Sequence, residues 1–130
     1  MVVDTSVLLA VFFDEPEAAW AASYLNQHGA DLRMSTVNLA ETLIILRDRQ
    51  PQLFEELEAR LFDSGIRFVP PDVVQAQIAA EARLRYPLNL GDCFAYALAV
   101  AEGCPLLAKD RDFRKVDIRV ISPPADPFPE

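Results

Sequence analysis

The chain has 130 residues, 52% of them apolar and 25% charged, with 12 Lys and Arg against 20 Asp and Glu for a formal net charge of −8. Such proportions exclude a disordered chain and suit one domain, which at this length buries roughly two thirds of its unfolded surface. The acidic balance excludes a protein that coats nucleic acid by bulk electrostatics, but not a nuclease whose excess acid is its site.

Met1 to Val3 read as a short buried strand, closed by Asp4. Ser6 to Phe13 have helical spacing, with Thr5 or Ser6 as the expected N-cap. Glu15-Pro16-Glu17 opens a second helix, proline in its first turn, that runs to about Gln27 and stops at Gly29. Leu32 to Ser35 form a short strand. Thr36 to Asp48 and Pro51 to Phe62 follow as two helices. Ile66 to Val69 are a strand ended by Pro70-Pro71, and Asp72 to about Arg85 a helix that Pro87 breaks. Leu90 to Glu102 form a nearly apolar helix with Gly103 at its end. Leu106 to Ala108 are a strand, Arg111 to Lys115 a short helix and Ile118 to Ile121 a last strand. Short apolar strands alternating with helices predict an α/β fold, a small parallel Rossmann-like sheet flanked by helices, over residues 1–121. Residues 122–130 are a proline-rich tail, unsuited to helix or interior strand.

The N-terminus lacks the basic leader of a signal peptide, and no apolar run approaches the ~18 residues of a membrane span. Cys93 and Cys104 are too far apart for a Cys-x-x-Cys motif. They read as two buried thiols in a reducing cytoplasm. The single histidine, His28, lies beside Gly29 at a helix end, remote from both cysteines, which disfavours zinc and removes Ser-His-Asp and Cys-His mechanisms. None of the four glycines builds a phosphate-cradling loop.

Four acids remain. Asp4 follows the first strand and Asp110 the run Leu106-Leu107-Ala108; both fall beyond carboxyl ends of strands, where such sheets bind ligands. Asp92 opens the apolar helix. Glu41 sits on the helical stripe of Val37, Ile44 and Ile45, with Asn38 its only polar neighbour. Buried carboxylates require a partner or a cation. Oxygen-only ligands suit magnesium or manganese. Blander roles compete: Asn89-Leu90-Gly91-Asp92 has capping-box spacing, Asp4 suits a turn, and Asp110, with Asp112 as a possible fifth acid, suits a helix start. Two like charges ~4 Å apart repel by about 4 kcal/mol at an effective dielectric near 20, so at least one carboxylate is expected to have a raised pKa without metal.

The segments Val3-Asp4-Thr5-Ser6, Ser35 to Glu41, Leu88 to Ala99 and Leu107 to Phe113, in this order and at these separations, resemble the PIN-domain ribonucleases. The Asp14-Glu15-Pro16 turn makes the chain most similar to the VapC-type toxins of toxin–antitoxin pairs. The resemblance implies a magnesium- or manganese-dependent endoribonuclease with one or two ions. Asp4, Glu41, Asp92 and Asp110 match the acidic quartet, with Asp4 and Asp92 as first-choice metal ligands and Glu41 and Asp110 as second. Ser6 matches the supporting hydroxyl, beside Thr5. It also implies a cognate antitoxin and a homodimer. Lys109 and Asn89 depart from the family pattern, where a small residue or threonine, and serine, are commoner. Lys109 and Arg111 are candidate contacts to substrate phosphate. Two alternatives stay open here: a non-catalytic PIN-like module that binds RNA or protein, and a phospho-acceptor signalling domain, which expects adjacent acids after the first strand.

Overall fold

In the computed structural model, which describes residues 1–124, five short parallel strands form the middle layer in the order β3-β2-β1-β4-β5. They are β1 (Val2–Val3), β2 (Arg33–Ser35), β3 (Arg67–Val69), β4 (Leu106–Leu107) and β5 (Val120–Ile121). Six helices surround them: α1 (Thr5–Phe12), α2 (Ala18–Gln27), α3 (Thr36–Arg49), α4 (Phe54–Phe62), α5 (Val73–Arg85) and α6 (Leu90–Glu102). Single 3-10 turns occupy Gly29–Asp31 and Arg111–Lys115. The expected α/β architecture is therefore observed.

Register explains how strands of two or three residues build two cores. Val2 pairs with Leu106 and Val3 with Leu107. Successive side chains of a strand point to opposite faces. Val2 and Leu106 thus join the cluster of α5 and α6, with Leu98 and Phe113, while Val3 and Leu107 join Val7, Leu8, Met34 and Leu61 on the other face. Strand order reverses at β1: the chain first proceeds to β2 and β3 on one side, then crosses to β4 and β5 on the other. The crevice at this switch point, beyond the carboxyl ends of β1 and β4, is where Asp4 and Asp110 emerge.

Several expected boundaries move. Asp4, not Thr5 or Ser6, caps α1, because its carboxylate accepts the Ser6 N–H at 3.1 Å. Prolines 16 and 51 lie in turns before α2 and α4, which start at Ala18 and Phe54. The inward stripe of α3 is Asn38, Thr42 and Leu46, while Ile44 is 66% exposed. Two polar side chains fit inside because their donors are bonded: Thr42 Oγ1 donates to the Asn38 backbone carbonyl at 2.8 Å, and Asn38 Nδ2 to Glu41 and to the Gly91 carbonyl. Gly103 ends α6 in the left-handed conformation, φ 63°, as a glycine C-cap does. Cys93 is buried but Cys104 only partly, and both thiols are free. His28 caps the end of α2, stacked on Tyr24, as its position predicts. No helix among the described residues is long and apolar enough to cross a membrane. The tail prediction falls largely on residues outside those described; Ser122 to Pro124 have no regular structure.

Candidate active site

The acid after β1 is almost wholly enclosed. Asp4 is 2% exposed. Its Oδ2 accepts the Ser6 hydroxyl at 2.7 Å and the Ser6 N–H at 3.1 Å. Ser6 Oγ in turn accepts the backbone N–H of Lys109 at 3.0 Å, which ties the start of α1 to the segment after β4. Asp4 Oδ1 is buried with no hydrogen-bond partner. Burial, ahead of the Glu41 and Asp110 charges, pushes the Asp4 carboxyl up to about 6 despite the Ser6 bonds.

Asp92 occupies the third position of α6 and does two things. With Asn89 it completes a capping box: its N–H donates to Asn89 Oδ1 at 2.8 Å, and its Oδ2 accepts the Asn89 N–H at 3.3 Å. It also lies 7% exposed among like charges. Burial first, then Asp4, then Asp110 and Glu41, raise its carboxyl to about 7. The cap and the charged site, competing explanations in the sequence, coexist in one side chain. Two carboxyls are raised, as expected for at least one, with burial ahead of like-charge repulsion as the cause.

Glu41 is half-buried on α3, held from two elements. Its Oε1 accepts Thr5 Oγ1 from α1 and Asn38 Nδ2 from its own helix, both at 3.0 Å. The second Asn38 amide hydrogen goes to the Gly91 carbonyl at 3.0 Å. Asn38 thereby joins α3 to the first turn of α6. Gly91 is the counterpart of that clamp, because a Cβ there would overlap the Glu41 carboxylate. Neither role was read from the sequence. Asn38 was visible as the single polar residue on an apolar stripe, and Gly91 as a glycine inside a helix start, a position that costs helix stability unless something needs the space.

Asp110 caps the 3-10 turn, its Oδ1 accepting the Asp112 N–H at 2.9 Å, and both acids are exposed. Asp92, Asp110 and Asp112 can each bring one oxygen within 4.8 Å of the others. That trio does not include Asp4 or Glu41, whose charges nevertheless act on Asp92. An open groove of about 1030 Å³ adjoins the acids, sharing Ser6 and Asp110 with them and lined further by Glu17, Lys109, Arg111 and Arg114. The Lys109 ammonium is not free in it: it pairs with Glu15 at 2.9 Å and Glu17 at 3.4 Å.

One arrangement recurs. Asp4, Glu41, Asp92 and Asp110 each anchor one carboxylate oxygen by hydrogen bonds and leave the other without one among the described residues. Anchored, oxygen-only carboxylates, two of which (Asp4 and Asp92) burial pushes above the ordinary range, are of the donor type that suits a hard divalent cation.

Comparison with known proteins agrees with this geometry. The PIN domain family model matches residues 1–119. Ribonuclease VapC of Mycolicibacterium smegmatis is 36% identical over 129 residues, 93% of this chain and 99% of its own. Ribonuclease VapC30 of Mycobacterium tuberculosis is 36% identical over 132 residues, 95% of this chain and 100% of its own. Among solved structures, Mycobacterium tuberculosis VapC20, a sarcin-ricin loop cleaving toxin, superposes with a TM-score of 0.78 at 20% identity, covering 94% of this chain and 98% of that one. VapBC2 from Rickettsia felis, bound to a DNA fragment of its promoter, gives 0.76 at 13% identity over 93% of this chain and 96% of that one. The chain belongs to the PIN-domain family and, within it, to the VapC ribonucleases.

Proposed function

We propose that the chain is the toxin of a toxin–antitoxin pair and hydrolyses RNA phosphodiester bonds at Asp4, Glu41, Asp92 and Asp110 with magnesium or manganese. The observation that carries this reading is the Asp4 carboxylate, with one oxygen fixed by Ser6 and the other buried without a partner. Asp4 and Asp92 would hold the ion, with Glu41, Asp110 and Asp112 as further oxygens for it or for a second one. The bound ion supplies Lewis-acid polarisation of the phosphodiester and of the attacking water.

The chain's own residues do the rest. Ser6 and the Asn89 cap fix the rotamers of Asp4 and Asp92, so that little reorganisation accompanies cation binding. Thr5 and Asn38 hold Glu41 with one oxygen turned loose, placed to orient a water or accept its proton. Arg111 and Arg114 line the groove together with Asp110 and would meet backbone phosphates there. Water attack leaves a 5′-phosphate and a 3′-hydroxyl. Complexes of VapB with VapC among the structural neighbours support a cognate antitoxin as the protein partner, placing a cation among the acids by charge complementarity. A homodimer is the proposed assembly, and the cytoplasm, which keeps two free thiols reduced, the proposed compartment.

End-labelled structured RNAs, tRNA included, incubated with magnesium, manganese or EDTA beside the Asp92→Asn variant test the reading. Metal-dependent cuts with 5′-phosphate ends are expected, and their loss in the variant. A 2′,3′-cyclic phosphate end would overturn the water-attack route.

A further inference from the structure

Lys109 directly precedes Asp110 of the acidic quartet, yet its ammonium is spent inside the protein. It reaches Glu15 Oε2 at 2.9 Å and Glu17 Oε2 at 3.4 Å. Both acids belong to the turn between α1 and α2, which is folded tightly. Asp14 takes the left-handed conformation there, φ 50°, and the Glu15 N–H donates to the Ala10 carbonyl at 2.9 Å. Aspartate tolerates that conformation better than most residues. The turn therefore presents two carboxylates at a defined place, and Glu17, Lys109 and Asp110 all line the groove.

Three features show that this cluster is exchangeable rather than a fixed strut. All three side chains are close to 30% exposed, so water screens their attraction. Two carboxylates share one ammonium, and Glu17 Oε2, though buried, accepts no hydrogen bond from it. The Lys109 main chain is pinned independently, by its N–H on Ser6 Oγ. Its flexible four-carbon stem can therefore swing without disturbing Ser6 or Asp4. What the pairing does achieve is electrostatic: it cancels the Lys109 charge and leaves the cluster of Lys109, Glu15 and Glu17 with one net negative charge.

We propose that Lys109 is a phosphate-binding residue of the RNA groove held in reserve by Glu15 and Glu17, so that an RNA phosphate gains the ammonium only by displacing it from that carboxylate pair. The inference rests on the RNA reading above. It makes Glu15 and Glu17 determinants of which RNAs bind: a backbone that places a phosphate within the lysine's reach competes successfully, and one that does not meets a repelling wall.

The test is a double-mutant cycle read by fluorescence anisotropy with a labelled single-stranded RNA 20-mer of mixed sequence, over a series of salt concentrations. All proteins carry Asp92→Asn to suppress cleavage. Glu15→Gln with Glu17→Gln is expected to tighten binding by about tenfold and steepen the log–log salt slope by about 0.7, one added phosphate contact on a single strand. Adding Lys109→Met to that pair removes both gains. Lys109→Met alone shifts binding by less than about twofold. If the gain persists without Lys109, the glutamates act by general repulsion and the proposal fails. It fails equally if Lys109→Met costs the same in both backgrounds, because the lysine then already holds phosphate. Should the double glutamine variant unfold, Glu17→Gln alone carries the same cycle with a smaller gain. Binding by none of the proteins, to the 20-mer or to labelled tRNA, would overturn the RNA reading itself, an outcome separable from a cycle that closes without coupling.

Discussion

At the scale of single residues, the site depends on pairs in which one member is chemically silent. Gly91 is the sharpest case, since its missing side chain is the space that the Glu41 carboxylate occupies. Gly91→Ala is expected to displace the Glu41 carboxylate, the end of a flexible side chain held by Thr5 and Asn38, at a cost of about 1 kcal/mol for the lost hydrogen bonds, and to abolish cleavage. In a Glu41→Ala background the same change should become neutral or stabilise by up to about 1 kcal/mol, because only the helix preference for alanine remains. Denaturant unfolding of the four proteins checks this, and an unchanged cost in both backgrounds would remove Glu41 as the cause. Asp4, Asp92 and Asp110 were conspicuous in the sequence as charges at a strand end or helix start, and Glu41 as a charge within an apolar helical pattern. Gly91 and Asn38 were not, because their roles exist only once α3 and α6 are packed together. The single-residue pattern on α3 also misled: Val37, Ile44 and Ile45 suggested an apolar inward face, whereas the buried stripe is Asn38, Thr42 and Leu46. Proximity to the site reversed the usual rule, since Asn38 went inward to hold Glu41 and Thr42 to bond the Asn38 carbonyl.

At the scale of elements, α6 is both a structural beam and the carrier of Asp92, and the Asn89 capping box is where the two functions meet. Asn89→Ala should lower stability by about 1 kcal/mol, the usual value of an N-cap, and reduce cleavage as the Asp92 rotamer loosens. Asn89→Ser should retain most of both. Thermal melts and initial rates on one RNA would separate the effects, and a stability loss with unchanged rate would confine Asn89 to capping. Element order and type were readable from apolar runs punctuated by Gly103, Pro70-Pro71 and Pro87. The starts of α2 and α4 were not, because Pro16 and Pro51 suit a first helical turn and a preceding turn alike.

For the whole molecule, the acidic cluster sets how stability depends on pH. Asp4 and Asp92 have folded-state values of about 6 and about 7 against an ordinary 3.8. With folded values above unfolded ones, their contribution is fully present below the ordinary carboxylate range and is lost as pH rises through the folded values. The metal-free protein should therefore melt at a lower temperature near pH 8 than near pH 5. Asp92→Asn should raise the melting temperature more near pH 8 than near pH 5. Manganese binding runs the opposite way, because the cation competes with protons: its affinity, followed by calorimetry, should weaken as pH falls below about 7. A melting temperature indifferent to pH in EDTA would mean that the carboxylates do not repel as their burial requires.

The two supports of the acids differ in how readily they open. Asp92 stands on α6, whose residues from Gly91 to Ala99 are buried apart from the half-buried Phe94. Asp110 and Asp112 stand on a short 3-10 turn with only Phe113 inside. Backbone amides in the helix should exchange with deuterium only on global unfolding, those of residues 110–115 by local opening on a far shorter timescale. A ligand that bridges the two should slow exchange in the turn and leave the helix unchanged. The helix then serves as a fixed frame of reference, and the turn as the part that closes upon whatever is bound.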